Sequence, residues 1–164
     1  MYFAGAATRA MTRAASVALT TGRGSEASYP SQQAIDAAIA AHVGIPYEHN
    51  GRGPDSLDCL GLIVSFYRAF GVQVPDGDGQ PISEEWWQVD PERYLRGLLS
   101  VGRPVSEPLQ ALDLVYFRIG GVIRHAGVMV DSQRFIHVLE RRSVMVTRLG
   151  GWWRSKLAGA RRLV

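Results

Sequence analysis

The stretch DSLDCLGLIVSFYRAFG, residues 55 to 71, places the single cysteine of the chain directly after an acidic residue and at the start of an apolar helical pattern. The pattern predicts a helix from Asp58 to Phe70 that ends at Gly71, with Cys59 at the edge of its buried face. An unpaired cysteine often packs as a small hydrophobe. A helix N-terminus, however, lowers the pKa of a thiol and favours the nucleophilic thiolate. This stretch alone therefore leaves a packing role and a chemical role both open.

Helical patterns also dominate the neighbouring parts of the chain. Residues 31 to 44, SQQAIDAAIAAHVG, predict a helix that Ser31 caps and that ends at Gly44. Residues 83 to 100 predict two short helical segments, of which the second begins through Asp90 and Pro91.

The pattern changes to strands from residue 113 onward. Four short segments rich in β-branched and aromatic residues predict an antiparallel meander: DLVYFRI, RHAGVMVD, RFIHVLE and SVMVTRL. GWWRSKLAGA then predicts a helical turn, and RRLV a last strand. Because the helices precede the sheet, we predict an α+β fold in which N-terminal helices pack on an antiparallel β-sheet.

The chain has 164 residues, the length of one ordinary domain, which we assign to residues 31 to 164. Residues 1 to 30 combine small residues with scattered arginines, and they predict an N-terminal arm that docks on a partner protein. Their apolar core, AASVAL, is short for an export signal. No apolar run approaches 18 residues, so we expect no membrane span.

Charge is divided unevenly along the chain. Residues 31 to 140 hold 8 basic and 14 acidic residues, whereas residues 141 to 164 hold 7 basic and no acidic residues. The cationic end suits an anionic polymer, an acidic neighbouring protein or a solvated surface. Basic and aromatic residues do not alternate in the way that stacks nucleobases, so nucleic acid is not an expected partner.

The sequence gives no reason to expect a metal or a cofactor. One cysteine excludes an internal disulfide, and the chain contains neither a CxxC nor an HExxH spacing. The four histidines, at positions 42, 49, 125 and 137, are scattered and do not form a ligand group. We therefore expect no metal site and no cofactor.

Two strand histidines are candidates for assisting a cysteine nucleophile, which needs a base and a third group that orients the base. A three-residue turn at residues 131 to 133 would oppose Gly127 to His137 and place His125 diagonally beside His137, about 7–8 Å away. A turn of two or four residues would point His125 to the other face of the sheet. The pair therefore requires an odd-length turn or a bulge, and a glycine at position 127 leaves room for His137.

Three motifs in this order, GIPYEHNGRGPDSLDCLGLI, RHAGVMV and FIHV, resemble those of the NlpC/P60 family of papain-like cell-wall cysteine peptidases. The resemblance implies a papain-like fold without a cofactor, in which Cys59 is the nucleophile, His125 the general base and His137 the polar residue that orients the base. It also implies that Tyr47 and Asp58 contact substrate near its free amine. The alternatives are a packed aromatic side chain for Tyr47 and a helix N-cap for Asp58.

The DCLGL form of the motif, with RGP before it and GWW near the C-terminus, most resembles peptidases from tail modules of bacteriophages and gene transfer agents. This resemblance implies a peptidoglycan endopeptidase of the virion tail that cleaves a stem-peptide amide at the bacterial periplasm or cell wall, beside neighbouring tail tip or hub proteins. A structural tail component with a silent or occluded site is one alternative. A bacterial amidase or acyltransferase on the same fold is another.

Two positions depart from the family pattern. Leu60 stands where related wall hydrolases usually have serine, and Leu112 stands where the family commonly has glycine. Neither departure affects the expected nucleophile, base or orienting residue.

Overall fold

Six antiparallel strands form one sheet in a computed structural model that describes residues 29 to 164. The helices within these residues are Gln32–His42 (α1), Cys59–Arg68 (α2), Trp86–Val89 (α3), Arg93–Leu99 (α4) and Gly151–Lys156 (α5). The strands are Arg103–Val105 (β1), Asp113–Ile119 (β2), Val122–Met129 (β3), Arg134–His137 (β4), Met145–Arg148 (β5) and Leu157–Arg162 (β6). Their order in the sheet is β1-β6-β2-β3-β4-β5. The predicted α+β fold is confirmed.

The first two helices begin where the sequence predicts. The side chain of Ser31 accepts a hydrogen bond from the backbone of α1, and the side chain of Asp58 does the same for α2. Helix α4 begins at Arg93, two residues after the predicted first turn at Pro91. Asp90 does not cap it, because its carboxylate pairs with Arg96 instead.

The predicted meander is present as β2 to β5, but the last strand is longer than predicted. Strand β6 begins at Leu157, within the segment predicted as a helical turn, and lies between β1 and β2. Strand β1 was not predicted. It has only three residues, one of which is a proline, so it carries no periodic signal.

The sheet is covered on both sides, because alternate residues of its central strands enter different apolar clusters. Leu114 of β2 packs with α1 and α2, whereas Phe117 packs with Phe135 and Trp153. In the same cluster as Leu114, Leu112 adopts a positive φ of 60° while being fully buried. This left-handed conformation favours glycine, which accounts for the glycine that the family commonly has at this position.

Two of the seven basic residues in the cationic C-terminal end are used inside the fold. The guanidinium group of Arg161 donates hydrogen bonds to the backbone carbonyls of Leu99, Val101 and Gly102. Arg162 forms a two-pronged ion pair with the fully buried Asp113. The expected cationic docking surface is therefore smaller than the charge count suggests.

The predicted arm, residues 1 to 30, lies almost wholly outside the described residues. Within residues 29 to 164, no helix is long and apolar enough to cross a membrane.

Candidate active site

Cys59 is the first residue of α2, directly after the capping residue Asp58, and remains partly exposed. The start of this helix packs tightly against the preceding loop. A Cβ atom added at Gly61 would collide with the backbone carbonyl oxygen of Gly51. The glycine of the DCLG motif therefore permits the close approach that positions the thiol.

The thiol of Cys59 is not activated in the resting structure. Burial is the largest cause that raises its pKa, to about 11, and the negative charge of Asp58 adds to the effect. Hydrogen bonding from Tyr94 and from the Leu60 backbone, together with the charge of Arg52, lowers the pKa by less. Desolvation of the thiolate therefore opposes the lowering of the pKa that a helix N-terminus favours.

His125 and His137 meet through the predicted three-residue turn. Val128 pairs with Ile136, and the N–H group of Val130 donates to the carbonyl of Arg134, which leaves residues 131 to 133 as the turn. The Nε2 atom of His125 lies 3.0 Å from the Nδ1 atom of His137. The two imidazoles are therefore hydrogen-bonded on one face of the sheet.

The glycine opposite His137 is required for this contact. A Cβ atom at Gly127 would lie 2.6 Å from the carbonyl oxygen of Ile136, 2.8 Å from a ring carbon of Phe135 and 3.1 Å from Cβ of His137. The first two distances are shorter than real Cβ atoms show. The inference that a side chain at position 127 would crowd His137 is confirmed.

A third side chain extends the histidine pair. The Nε2 atom of His137 lies 2.9 Å from the hydroxyl oxygen of Thr147 on β5. If His137 donates from Nε2 to Thr147, its Nδ1 accepts from the Nε2–H group of His125. That tautomer leaves Nδ1 of His125 as the basic nitrogen.

Both imidazoles are neutral at physiological pH. His125 is 5% exposed and His137 is 1% exposed. Burial lowers the pKa of His125 to about 3 and that of His137 to about 4. The indole of Trp153 contributes to this burial, since its ring centroid lies 5.3 Å from that of His125 and 4.8 Å from that of His137.

Four of the five predicted site residues line a single cavity of about 610 Å³, a size that suits a ligand. They are Tyr47, Asp58, Cys59 and His125. His137 lies behind His125 and contacts it through the hydrogen bond. The structure therefore brings the predicted residues into one place, with the thiol and the basic imidazole on the same cavity.

Tyr47 remains a hydroxyl donor in this cavity. Burial is the main cause that raises its pKa to about 12, and the neighbouring Cys59 and Asp58 raise it further. Its phenol can therefore donate a hydrogen bond to a carbonyl or to an oxyanion.

The capping role of Asp58 is confirmed, and its carboxylate has further partners. It accepts hydrogen bonds from the backbone N–H groups of Gly61 at 2.7 Å and Asn50 at 3.1 Å. Arg52 lies 2.7 Å away as an ion-pair partner. The role of Asp58 toward a substrate amine stays a prediction.

Sequence reasoning missed three side chains of the site. The hydroxyl of Tyr94 lies 3.4 Å from Sγ of Cys59, and Thr147 ends the histidine chain. Trp152 lines the cavity with half of its surface exposed. Tyr94 and Thr147 had no sequence signal, since only tertiary packing brings them to the site. The GWW segment was a signal for Trp152, but we used it only to predict a helical turn and for the resemblance to tail-module peptidases.

Leu60 lines both the cavity beside Cys59 and a second, mainly apolar cavity of about 310 Å³. A leucine in place of the usual serine therefore changes one wall of the site and leaves the nucleophile in place. Among residues 29 to 164, no group of three or more His, Cys, Asp or Glu side chains could hold a metal ion.

Comparisons with known proteins agree with this architecture. The sequence profile of the NlpC/P60 family matches residues 44–162. The chain is 25% identical over 124 residues to the murein DD-endopeptidase MepS/murein LD-carboxypeptidase of Escherichia coli K12. This match covers 74% of the chain and 57% of that enzyme, so the chain spans little more than half of its length.

Solved structures share the fold. An NlpC/P60 family protein from Bacillus cereus superimposes with a TM-score of 0.62 at 24% identity, over 82% of this chain and 40% of that one. RipD from Mycobacterium tuberculosis, described as a non-catalytic NlpC/p60 domain protein adapted to peptidoglycan binding, gives 0.53 at 16% identity, over 83% of this chain and all of that one. Because the family profile covers most of the chain and the fold agrees, the chain belongs to the NlpC/P60 family.

Proposed function

We propose that this chain is a cysteine endopeptidase that hydrolyses an amide bond in the stem peptide of peptidoglycan. One observation carries the proposal: the hydrogen-bond chain from Thr147 through His137 to His125 leads into the cavity that Cys59 lines. A nucleophile, a base and a group that orients the base are the parts that such a reaction needs. Membership of the family and the similarity to a murein endopeptidase support the choice of substrate.

The first step transfers the thiol proton of Cys59 to Nδ1 of His125 as Sγ attacks the scissile carbonyl carbon. Because both groups are neutral at rest, the transfer creates a thiolate and an imidazolium within a buried site. His137 accepts the hydrogen bond from the Nε2–H group of His125 and thereby stabilises the imidazolium. The ground state thus holds the proton on sulfur until substrate occupies the cavity.

The next steps release the two products. The oxyanion of the tetrahedral intermediate forms near the backbone N–H group of Cys59, and the hydroxyl of Tyr47 is a second donor for it. His125 then returns its proton to the leaving amine as the C–N bond breaks. Water hydrolyses the thioester and regenerates the thiol.

The proposal includes a place for the enzyme in the tail tip or hub of a phage or phage-like particle. The DCLGL and GWW motifs and the arm-like composition of residues 1 to 30 support it. Removal of residues 1 to 28 should leave muropeptide cleavage nearly unchanged, because every site residue named above follows them in the chain. The same deletion should abolish incorporation into particles. Normal incorporation of the shortened chain would contradict a docking role for the arm.

A non-catalytic tail protein that binds peptidoglycan is a second candidate. The raised pKa of Cys59 favours it, since a protonated thiol is a weak nucleophile. A silent site predicts binding to cell walls with no cleavage.

Incubation with defined muropeptides, followed by mass spectrometry, tests both candidates. The endopeptidase predicts two fragments whose masses add to the substrate plus water, and no fragments with the Cys59→Ala variant. Cell-wall sedimentation of the same two proteins measures binding. Sedimentation without fragments from the native protein would favour the non-catalytic function.

A further inference from the structure

Tyr94 contacts the reacting atom of the site from an element distant in sequence. It lies on α4, and its hydroxyl donates a hydrogen bond to Sγ of Cys59 at 3.4 Å. No other side chain among residues 29 to 164 donates a hydrogen bond to this sulfur. Within the part of the chain that the structure describes, the phenol is therefore the one side-chain donor to the thiol.

The packing around α4 holds the phenol in this position. Its ring makes an edge contact with Trp86, with 5.9 Å between the ring centroids. The adjacent residue, Arg93, donates hydrogen bonds to the Asp78 carboxylate and to the carbonyls of Gln80 and Pro81. These contacts tie α4 to the segment that follows α2, so the hydroxyl has little freedom to leave the sulfur.

The phenol keeps its own proton throughout the pH range of interest. Burial is the largest cause that raises its pKa well above 10, and the neighbouring Cys59 raises it further. The Tyr94 phenol, which stays protonated, can donate a hydrogen bond to the ionised sulfur of Cys59. A neutral donor is useful here because the nearest acid, Asp58, disfavours the thiolate.

The other charged and titratable groups around the thiol come from several elements. They are Tyr47, His49, Arg52, Asp58, Glu84, Glu85, Arg124, His125 and Glu140. Of these groups, Asp58 disfavours a negative charge on the sulfur, and the positive charge of Arg52 offsets this effect only in part. Formation of a thiolate at Cys59 therefore depends on groups that donate hydrogen bonds directly to Sγ.

We propose that Tyr94 is a catalytic residue whose hydroxyl stabilises the Cys59 thiolate while the thiol proton passes to His125. The catalytic role of Tyr94, unlike its contact with the thiol, rests on the proposed function. Sγ loses its proton to Nδ1 of His125, and the Tyr94 O–H bond stays intact. The existing hydrogen bond then becomes a charge-assisted one, which is about twice as strong.

The Tyr94→Phe variant tests this role because it keeps the ring and removes only the donor. Alkylation of Cys59 by iodoacetamide, followed by mass spectrometry between pH 7 and 10, measures the thiolate fraction. We expect a rate about tenfold lower at every pH in this range, equivalent to a rise of about one pKa unit, since a hydrogen bond to a charged group contributes at least this much. Thermal unfolding checks that the variant is folded.

Tyr116→Phe is the matched control, since Tyr116 is a buried tyrosine of β2 whose hydroxyl packs on Gly159 outside the cavity. It should alkylate like the native protein. Equal alkylation rates for Tyr94→Phe and Tyr116→Phe would overturn the proposal, even if the Tyr94→Phe variant cleaved muropeptides poorly.

Muropeptide cleavage separates this proposal from the proposed function. We expect Tyr94→Phe to lower kcat with little change in KM, because the hydroxyl acts on sulfur and not on bound substrate. A raised KM at unchanged kcat would overturn the role. If the native protein cleaves no muropeptide while the alkylation difference persists, the endopeptidase function fails and the stabilisation of the thiolate by Tyr94 stands.

Discussion

The Nε2 atom of His125 and the Nδ1 atom of His137 lie 3.0 Å apart, although the two residues are twelve positions apart in the chain. Their contact depends on the register of β3 against β4 and on the absence of a side chain at Gly127. A shift of one residue would turn one imidazole to the opposite face of the sheet. The functional pair is therefore a consequence of strand pairing.

Replacement of His137 tests whether it orients His125. His137→Asn and His137→Gln should keep measurable turnover, because an amide can still accept the hydrogen bond from the imidazole. His137→Ala should lose substantially more of kcat. The measurement is muropeptide cleavage at saturating substrate. A fully active His137→Ala variant would remove His137 from the site.

Asp58→Asn should increase the reactivity of the thiol. The negative charge of Asp58 raises the pKa of Cys59, whereas an asparagine still caps α2 and leaves Arg52 paired with Asp76 alone. The pKa of Cys59 should therefore fall, and alkylation at pH 7 to 8 should become several-fold faster. If Asp58 also binds a substrate amine, cleavage of substrates with a free amine should decrease in the same variant. An unchanged or slower alkylation rate would contradict the electrostatic argument.

Gly127→Ala should disrupt the contact between β3 and β4. The added methyl group would meet the carbonyl of Ile136 and the ring of Phe135, and overpacking of this kind costs about 1–3 kcal/mol of stability. Urea unfolding measures this loss, and muropeptide cleavage should fall with it because His137 moves.

Gly97→Ala is the control for this prediction. Gly97 lies within α4 and has no heavy atom within 4 Å of the added Cβ position. Alanine there should be neutral or stabilise the protein by about 0.5–1 kcal/mol through helix propensity. Similar losses of stability in both variants would contradict the argument that a Cβ atom at Gly127 collides with its neighbours.

Acid should destabilise the folded protein through the two buried histidines. Their pKa values are about 3 and about 4 when folded, below the ordinary value of 6.5, so the unfolded chain binds more protons as the pH falls. The contribution of the two histidines to the free energy of unfolding should be present above pH 6.5 and be lost as the pH falls, down to about 4 for His137 and about 3 for His125. The slope approaches about 1.4 kcal/mol per pH unit for each proton. Urea unfolding at several pH values measures the slope.

The His137→Gln variant provides the comparison, because it removes one titrating group. Its slope between pH 6.5 and 4 should be smaller than that of the native protein by about one proton. Identical slopes would contradict the burial of a neutral His137.

The sequence predicted local structure well where a local interaction determines it. Ser31 and Asp58 cap the first two helices because each side chain bonds to a backbone N–H group only three residues ahead. Strands β2 to β5 were also predicted, from their β-branched and aromatic residues and from the turn residues between them. Strand β1 and the early start of β6 were missed, because β6 forms between two strands that are remote from it in the chain.

The sequence by itself identified the candidate nucleophile and the two candidate histidines, and it set the condition, an odd-length turn or a bulge, under which the histidines meet. It could do so because side chains alternate between the two faces of a strand, and because a capping residue lies directly before the helix that it caps. Only the tertiary structure decided the protonation of the site, since burial raises the pKa of Cys59 and lowers that of His125. It also decided the approach of Tyr94, whose helix reaches the thiol through packing across 35 residues of chain. Desolvation and long-range contact depend on the whole fold, and no short stretch of sequence encodes either one.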